Sequence, residues 1–162
     1  MSVAHPESVA LQKRFGSFPL ATHETGETVL AAGSKTGRLL ILRKGTVAVT
    51  RQGIEIARVA EPGAVFGEIS ALLDQPHSAD VRAVETSQFH VGNAAALQDL
   101  ATLYCVAAVL ARRLDGANEA LVELKNQIRV GRPPKVIDET VEKIEGLLTL
   151  SATKSYLRRV PI

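Results

Sequence analysis

The chain has 162 residues, 46% of them hydrophobic and only 4% aromatic, with no Trp and a net charge of +2. That length fits one domain with room for an added helix or tail, and the apolar share excludes a disordered chain. So small a net charge gives no reason to expect a nucleic-acid partner.

Residues 1–15 carry His5, Glu7, Lys13 and Arg14 and have no apolar run of the signal-peptide kind. The spacing predicts a short helix over residues 6–14, with Pro6 in its first turn. The most apolar stretch, residues 100–111, falls short of the roughly 20 residues that a membrane helix needs, so no membrane span is expected. The single Cys105 cannot form an internal disulfide, which fits a reducing, cytoplasmic location.

Residues 22–92 read as strands. Gly26, Gly33, Gly37, Gly45, Gly53, Gly63 and Gly67 punctuate short β-branched and aliphatic runs at residues 28–32, 39–42, 46–50 and 54–59. Gln52-Gly53 between two such runs predicts a hairpin, with Ile54 and Ile56 facing the core and Glu55 facing out. Residues 81–91 supply closing strands.

Residues 93–130 read as one long helix. Leu100, Leu103, Ala107, Leu110, Leu114, Ala117, Leu121, Leu124 and Ile128 repeat at steps of three and four, a heptad seam. Asp99 is the expected N-cap. Gly116 costs about 1 kcal/mol relative to Ala and marks a candidate hinge. Gly131 and Pro133-Pro134 stop the helix. The remainder, residues 131–162, predicts a further helix near residues 135–150 and a basic tail. The seam closes either within the chain, on its own strands, or between two chains as a homodimer through residues 100–128.

The segment richest in chemistry is FGEISALLDQPHSADVRA, residues 66–83. Gly67 permits a tight turn out of a strand, and residues 68–73 can form a short helix. Amides at such a helix start lack intrahelical acceptors and favour an anion. The Glu68 carboxylate suits the hydroxyls of a sugar, Ser78 adds a hydroxyl, and His77 adds a donor that titrates near pH ~6.5 when unperturbed. Phosphate plus ribose is the ligand chemistry these groups suit together. The dispersed His5, His23 and His90 make no metal motif, and the clustered His and carboxylates that metal-dependent catalysis needs are absent from the sequence pattern. A binding module, no enzyme and no metal are therefore expected.

This segment resembles the phosphate-binding cassette of cyclic-nucleotide-binding domains, the family of catabolite activator proteins and protein kinase A regulatory subunits. The matching residues are Phe66, Gly67 and Glu68, then Pro76, Ser78, Ala79 and Val81. Gly33, Gly45 and Gly63, the run GRLLILRKGTVAV at residues 37–49 and LARRL at residues 110–114 extend the likeness over residues 22–128. The resemblance implies an α+β fold: an antiparallel β-roll, a jelly-roll-like barrel, with a short N-terminal helix, a short cassette helix and long C-terminal helices. It implies cAMP or cGMP as ligand. Phe66, Gly67, Glu68, Ile69, Ser70, His77, Ser78 and Ala79 would form the site, with Glu68 on the ribose 2′-hydroxyl, the amides of Ile69 and Ser70 facing the cyclic phosphate, and Ser78 on the phosphate or base edge. Asn118 on the long helix would read the base. Residues 129–162 leave no room for a winged helix-turn-helix, so a stand-alone form signalling to a partner protein is expected.

Three residues depart from the family pattern: Ala117 lacks a hydroxyl the family often uses on the long helix, which leaves Asn118 to read the base, and two departures fall in the cassette. His77 stands where the family has its phosphate-binding Arg. One lost charge-assisted hydrogen bond of roughly 1.5–3 kcal/mol would weaken binding about ten- to a hundredfold. Asp80 takes a position usually neutral; in an extended segment it shares a face with Ser78, where it would repel a phosphate unless Arg82 neutralises it. The alternative function is therefore a degenerate nucleotide fold serving dimerisation or protein interaction without a nucleotide.

Overall fold

The structure is a computed structural model that describes residues 5–131. Its elements are α1 (Pro6–Arg14), β1 (Leu20–His23), β2 (Thr28–Leu30), β3 (Arg38–Lys44), β4 (Val47–Arg51), β5 (Ile54–Val59), β6 (Val65–Phe66), α2 (Glu68–Leu73), β7 (Asp80–Ala83), β8 (Ser87–Asn93) and, after a 3-10 turn at Ala94–Gln98, α3 (Leu100–Arg129). The helix expected near residues 135–150 lies outside the described residues.

The strands form an antiparallel β-roll of two four-stranded sheets, ordered β1-β8-β3-β6 and β2-β7-β4-β5, rather than one closed barrel. In β3, Leu39, Leu40, Ile41 and Leu42 are all buried. A continuous apolar run of this kind belongs to a strand covered on both faces. One face looks into the roll; the other is covered by α1, whose Leu11 joins the same core.

The β4–β5 hairpin turns on Gln52 and Gly53, both with positive φ (53° and 80°). This is the twist-matched turn that a two-residue hairpin favours. Its pairing slips between Val49 and Thr50, so that Val49 pairs with Ala57 while Thr50 pairs with Glu55, and Ile56 becomes the extra residue of a bulge. The bulge overturns part of the alternation expected for this strand. Ala57 and Val59 are the buried residues, while Ile54 is 64% exposed because the hairpin tip overhangs the roll.

Helix α3 spans 30 residues, about 45 Å at 1.5 Å per residue. The Asp99 carboxylate caps it, accepting from the Thr102 amide (2.8 Å) and hydroxyl (2.6 Å). The hydroxyl and amide bonds, helped by Arg14, hold this carboxyl below its ordinary range. The helix runs unbroken through Gly116. The stripe facing the rest of the chain is Thr102, Cys105, Val106 and Val109. Of the expected heptad seam, Leu110 packs against the core while Leu100, Leu114, Leu121 and Ile128 are exposed.

Helix α1 lies along the first half of α3, fastened near both ends. Arg14 Nη1 donates to Asp99 (2.8 Å). Arg112 pairs with the buried Glu7 and contacts His5 Nδ1 at 2.9 Å.

Candidate functional site

A cavity of about 210 Å³ lies against the inner face of the β2-β7-β4-β5 sheet. Its apolar wall is Leu30, Val49, Ile56, Ala57, Val59 and Val81. The opposite wall is the segment singled out in the sequence. Phe66, Gly67, Glu68, Ile69, Ser70, His77, Ser78 and Ala79 all line it. Two arginines that sequence reasoning missed also line the cavity: Arg51 from β4, exposed at the mouth, and the part-buried Arg113 from α3.

Local geometry explains this wall. Gly67 joins β6 to α2 at φ 84°, ψ 0°. A Cβ at this position would lie 2.3 Å from the Arg38 carbonyl oxygen, so the turn requires glycine on two counts. The turn buries Glu68 at the start of α2. Glu68 Oε1 accepts from Arg113 Nη1 at 2.5 Å, and Arg113 Nη2 donates to the Val65 carbonyl at 3.0 Å. Glu68 Oε2 carries no hydrogen bond among the described residues and is left to accept one. Ser70 is buried and donates its hydroxyl to the Gln75 carbonyl (2.5 Å), which ties off the end of α2.

His77 is buried and held on three sides. Its carbonyl accepts from Gly33 N and its amide donates to the Ser34 carbonyl, both at 2.9 Å. Its ring Nε2 is 2.8 Å from Thr36 Oγ1. Burial pushes the imidazole below its ordinary pKa, and the nearby Glu68 charge opposes this only in part. The setting therefore favours the neutral imidazole over the cation.

Asp80 does not face the cavity. The backbone bends at residues 78 and 79 before β7 begins, so strand alternation does not carry Ser78 onto the Asp80 face. Asp80 Oδ1 instead accepts from the Ala32 amide (2.8 Å) on the outside of the sheet. Arg82 does not neutralise it, since its Nη1 donates to the Gly26 carbonyl (2.8 Å). Asn118 is exposed and does not line the cavity. Five helical residues beyond Arg113, it sits about 140° around α3 and about 7.5 Å further along. Arg113 is the α3 residue that reaches the site.

Among the described residues no three His, Cys, Asp or Glu side chains converge as a metal site, and no helix is long and apolar enough to cross a membrane.

A two-sheet antiparallel roll, a short helix over its cavity and a long C-terminal helix define a β-roll domain with a built-in cleft. Residues 21–104, more than half the chain, match the family model described as "Cyclic nucleotide-binding domain", and the chain belongs to that family. No curated protein matches the sequence. Among solved structures it is similar to the Thermus thermophilus catabolite activator protein (24% identity, TM-score 0.55, covering 89% of this chain and 83% of that one). It is similar to a cyclic nucleotide-binding domain from Methylobacillus flagellatus (25%, 0.54, 59% and 61%). It is also similar to cAMP-bound PfPKA-R (18%, 0.51, 74% and 39%).

Proposed function

We propose that this chain is a cyclic-nucleotide sensor whose ligand, cAMP or cGMP, occupies the cavity and signals to a partner protein through α3. The observation that carries this reading is the convergence of Phe66, Gly67, Glu68, Ile69, Ser70, His77, Ser78 and Ala79 on one cavity beside a buried carboxylate. Glu68 Oε2 accepts from the ribose 2′-hydroxyl while Oε1 stays on Arg113. The first amides of α2 and the Ser78 hydroxyl meet the cyclic phosphate. The apolar wall takes the base. Ligand clefts typically run ~300–1,000 Å³, so an occupant of nucleotide size fills this 210 Å³ cavity and extends to its mouth, where Arg51 stands.

The output runs through the same ion pair. Arg113 ties the cassette to α3, and its neighbour Arg112 ties α3 to α1. A shift at Glu68 therefore reaches both helices. The exposed Leu114, Leu121 and Ile128 offer a self-complementary seam for a homodimer. The module acts by binding, not by catalysis, in the cytoplasm.

Titration calorimetry with cAMP and cGMP tests the reading. Saturable heat with at least one of them is expected; no heat at millimolar nucleotide rejects it. A second reading, an interaction module with a vestigial pocket, has one observation in its favour: Glu68 and His77 already have protein partners in Arg113 and Thr36. A dimer in sedimentation together with nucleotide silence would establish it.

A further inference from the structure

Four ionisable side chains line the cavity: Arg51, Glu68, His77 and Arg113. A phosphodiester brings one negative charge into it. Glu68 cannot balance that charge. The two donor nitrogens of Arg113 that carry hydrogen bonds are spent on Glu68 and the Val65 carbonyl. His77 has its Nε2 on Thr36. Arg51 alone of the four has no hydrogen bond or ion pair among the described residues, and it is exposed at the mouth.

Strand register places Arg51 beside the cassette. In the β4–β7 pairing Val49 lies opposite Val81 and Thr50 opposite Asp80. The pairing ends there, where the backbone bends at residues 78 and 79, and Arg51, the next residue of β4, lines the cavity together with His77, Ser78 and Ala79. Alternation puts it on the cavity side, with Val47 and Val49. Arg51 stands one residue past the Thr50–Asp80 pair, and residues directly opposed as in that pair have Cβ atoms ~5 Å apart. A guanidinium on its three-carbon stem therefore reaches the ground in front of the cassette. Arginine is also the side chain best shaped for an oxyanion, with parallel N–H donors and a permanent charge.

We propose that Arg51, reaching across from β4, is the cationic contact for the ligand's phosphodiester, so that the charge the cassette lacks at residue 77 is supplied by the opposite strand. This rests on the nucleotide-sensor reading above and adds to it a residue outside the cassette.

The test compares the whole chain with Arg51→Gln and Arg51→Lys by calorimetry against cAMP and cGMP, each at low and high salt. Because Arg51 is exposed and unpaired, both variants should melt with the parent chain, which controls for folding. The expected result is a loss of about ten- to a hundredfold for Arg51→Gln with both nucleotides. Arg51→Lys should recover part of it, and the salt dependence of binding should be shallower in Arg51→Gln. Unchanged affinity in Arg51→Gln would overturn the proposal and leave the sensor reading standing. Loss confined to one of the two nucleotides would also overturn it, since Arg51 would then be reading a base edge. If the parent chain binds neither nucleotide, the sensor reading fails and takes this proposal with it.

Discussion

The two walls of the cavity are built on opposite plans. On the cassette side the Glu68, Ser70 and His77 side chains each already have a partner within the protein. Glu68 is held by Arg113, Ser70 by the Gln75 carbonyl, and His77 by Thr36 and the backbone of residues 33 and 34. On the hairpin side Ile54 overhangs in solvent and Arg51 has no partner among the described residues. The contrast separates two needs of a binding site. A wall whose side chains are already partnered keeps its shape before the ligand arrives and loses little on binding. A wall with an uncommitted long side chain can close over the ligand, at the cost of ordering that side chain when it does.

The contrast makes stability predictions that run from the cassette outward. The largest effect is expected at the glycine that shapes the cassette wall. Gly67→Ala must adopt a left-handed backbone and push against the Arg38 carbonyl, so it should destabilise the chain by about 3 kcal/mol or more in urea unfolding. A loss under about 1 kcal/mol would mean that this wall is softer than its bonding suggests. Next comes the ion pair. Glu68→Gln should cost about 1.5–3 kcal/mol, and a double-mutant cycle with Arg113→Met should return a coupling of about 1–3 kcal/mol. Additive losses would show that the pair is not a joint.

A third effect is pH-dependent. The folded-state pKa of His77 lies below its unfolded value near 6.5. Its neutral form therefore contributes stability that is fully present above about pH 6.5 and is lost as pH falls through the folded value. His77→Asn should flatten that part of the melting-temperature profile between pH 7 and 5. An unchanged slope would place the titrating group elsewhere. The smallest effect is expected on the hairpin, where Ile54→Thr should change stability by no more than about 0.5 kcal/mol. A large loss there would mean the tip is covered.

What could be read in the sequence was local. Pro6 marked the start of α1, Gln52-Gly53 marked the hairpin, Asp99 capped α3, and the spacing from Phe66 to Val81 laid out the cassette. What escaped reading depended on contacts across the fold or on single-residue irregularities. The bulge at Ile56 changes which side chains of β5 are buried, and nothing in the run Ile54–Val59 announces it. The bend at residues 78 and 79 turns Asp80 outward. Arg113 meets Glu68 across 45 positions of sequence, yet a signal was present: it sits four residues after Val109, on the buried stripe of α3, where a charged residue asks for a partner. Arg51 follows the inward-facing Val47 and Val49 at a spacing of two, the same kind of signal in a strand. In both cases a charge interrupts an apolar pattern, and in both it lines the cavity.

The paired fastenings of α1 and α3 have a mechanical consequence. With Arg14 buttoned to Asp99 at one end and Glu7 to Arg112 at the other, the two helices cannot slide past each other without unfastening both. Together they form a two-helix splint. The adjacent Arg113 joins the cavity to that splint through Glu68, so in the proposed sensor a sugar hydroxyl settling on one carboxylate oxygen would act at one end of a lever about 45 Å long.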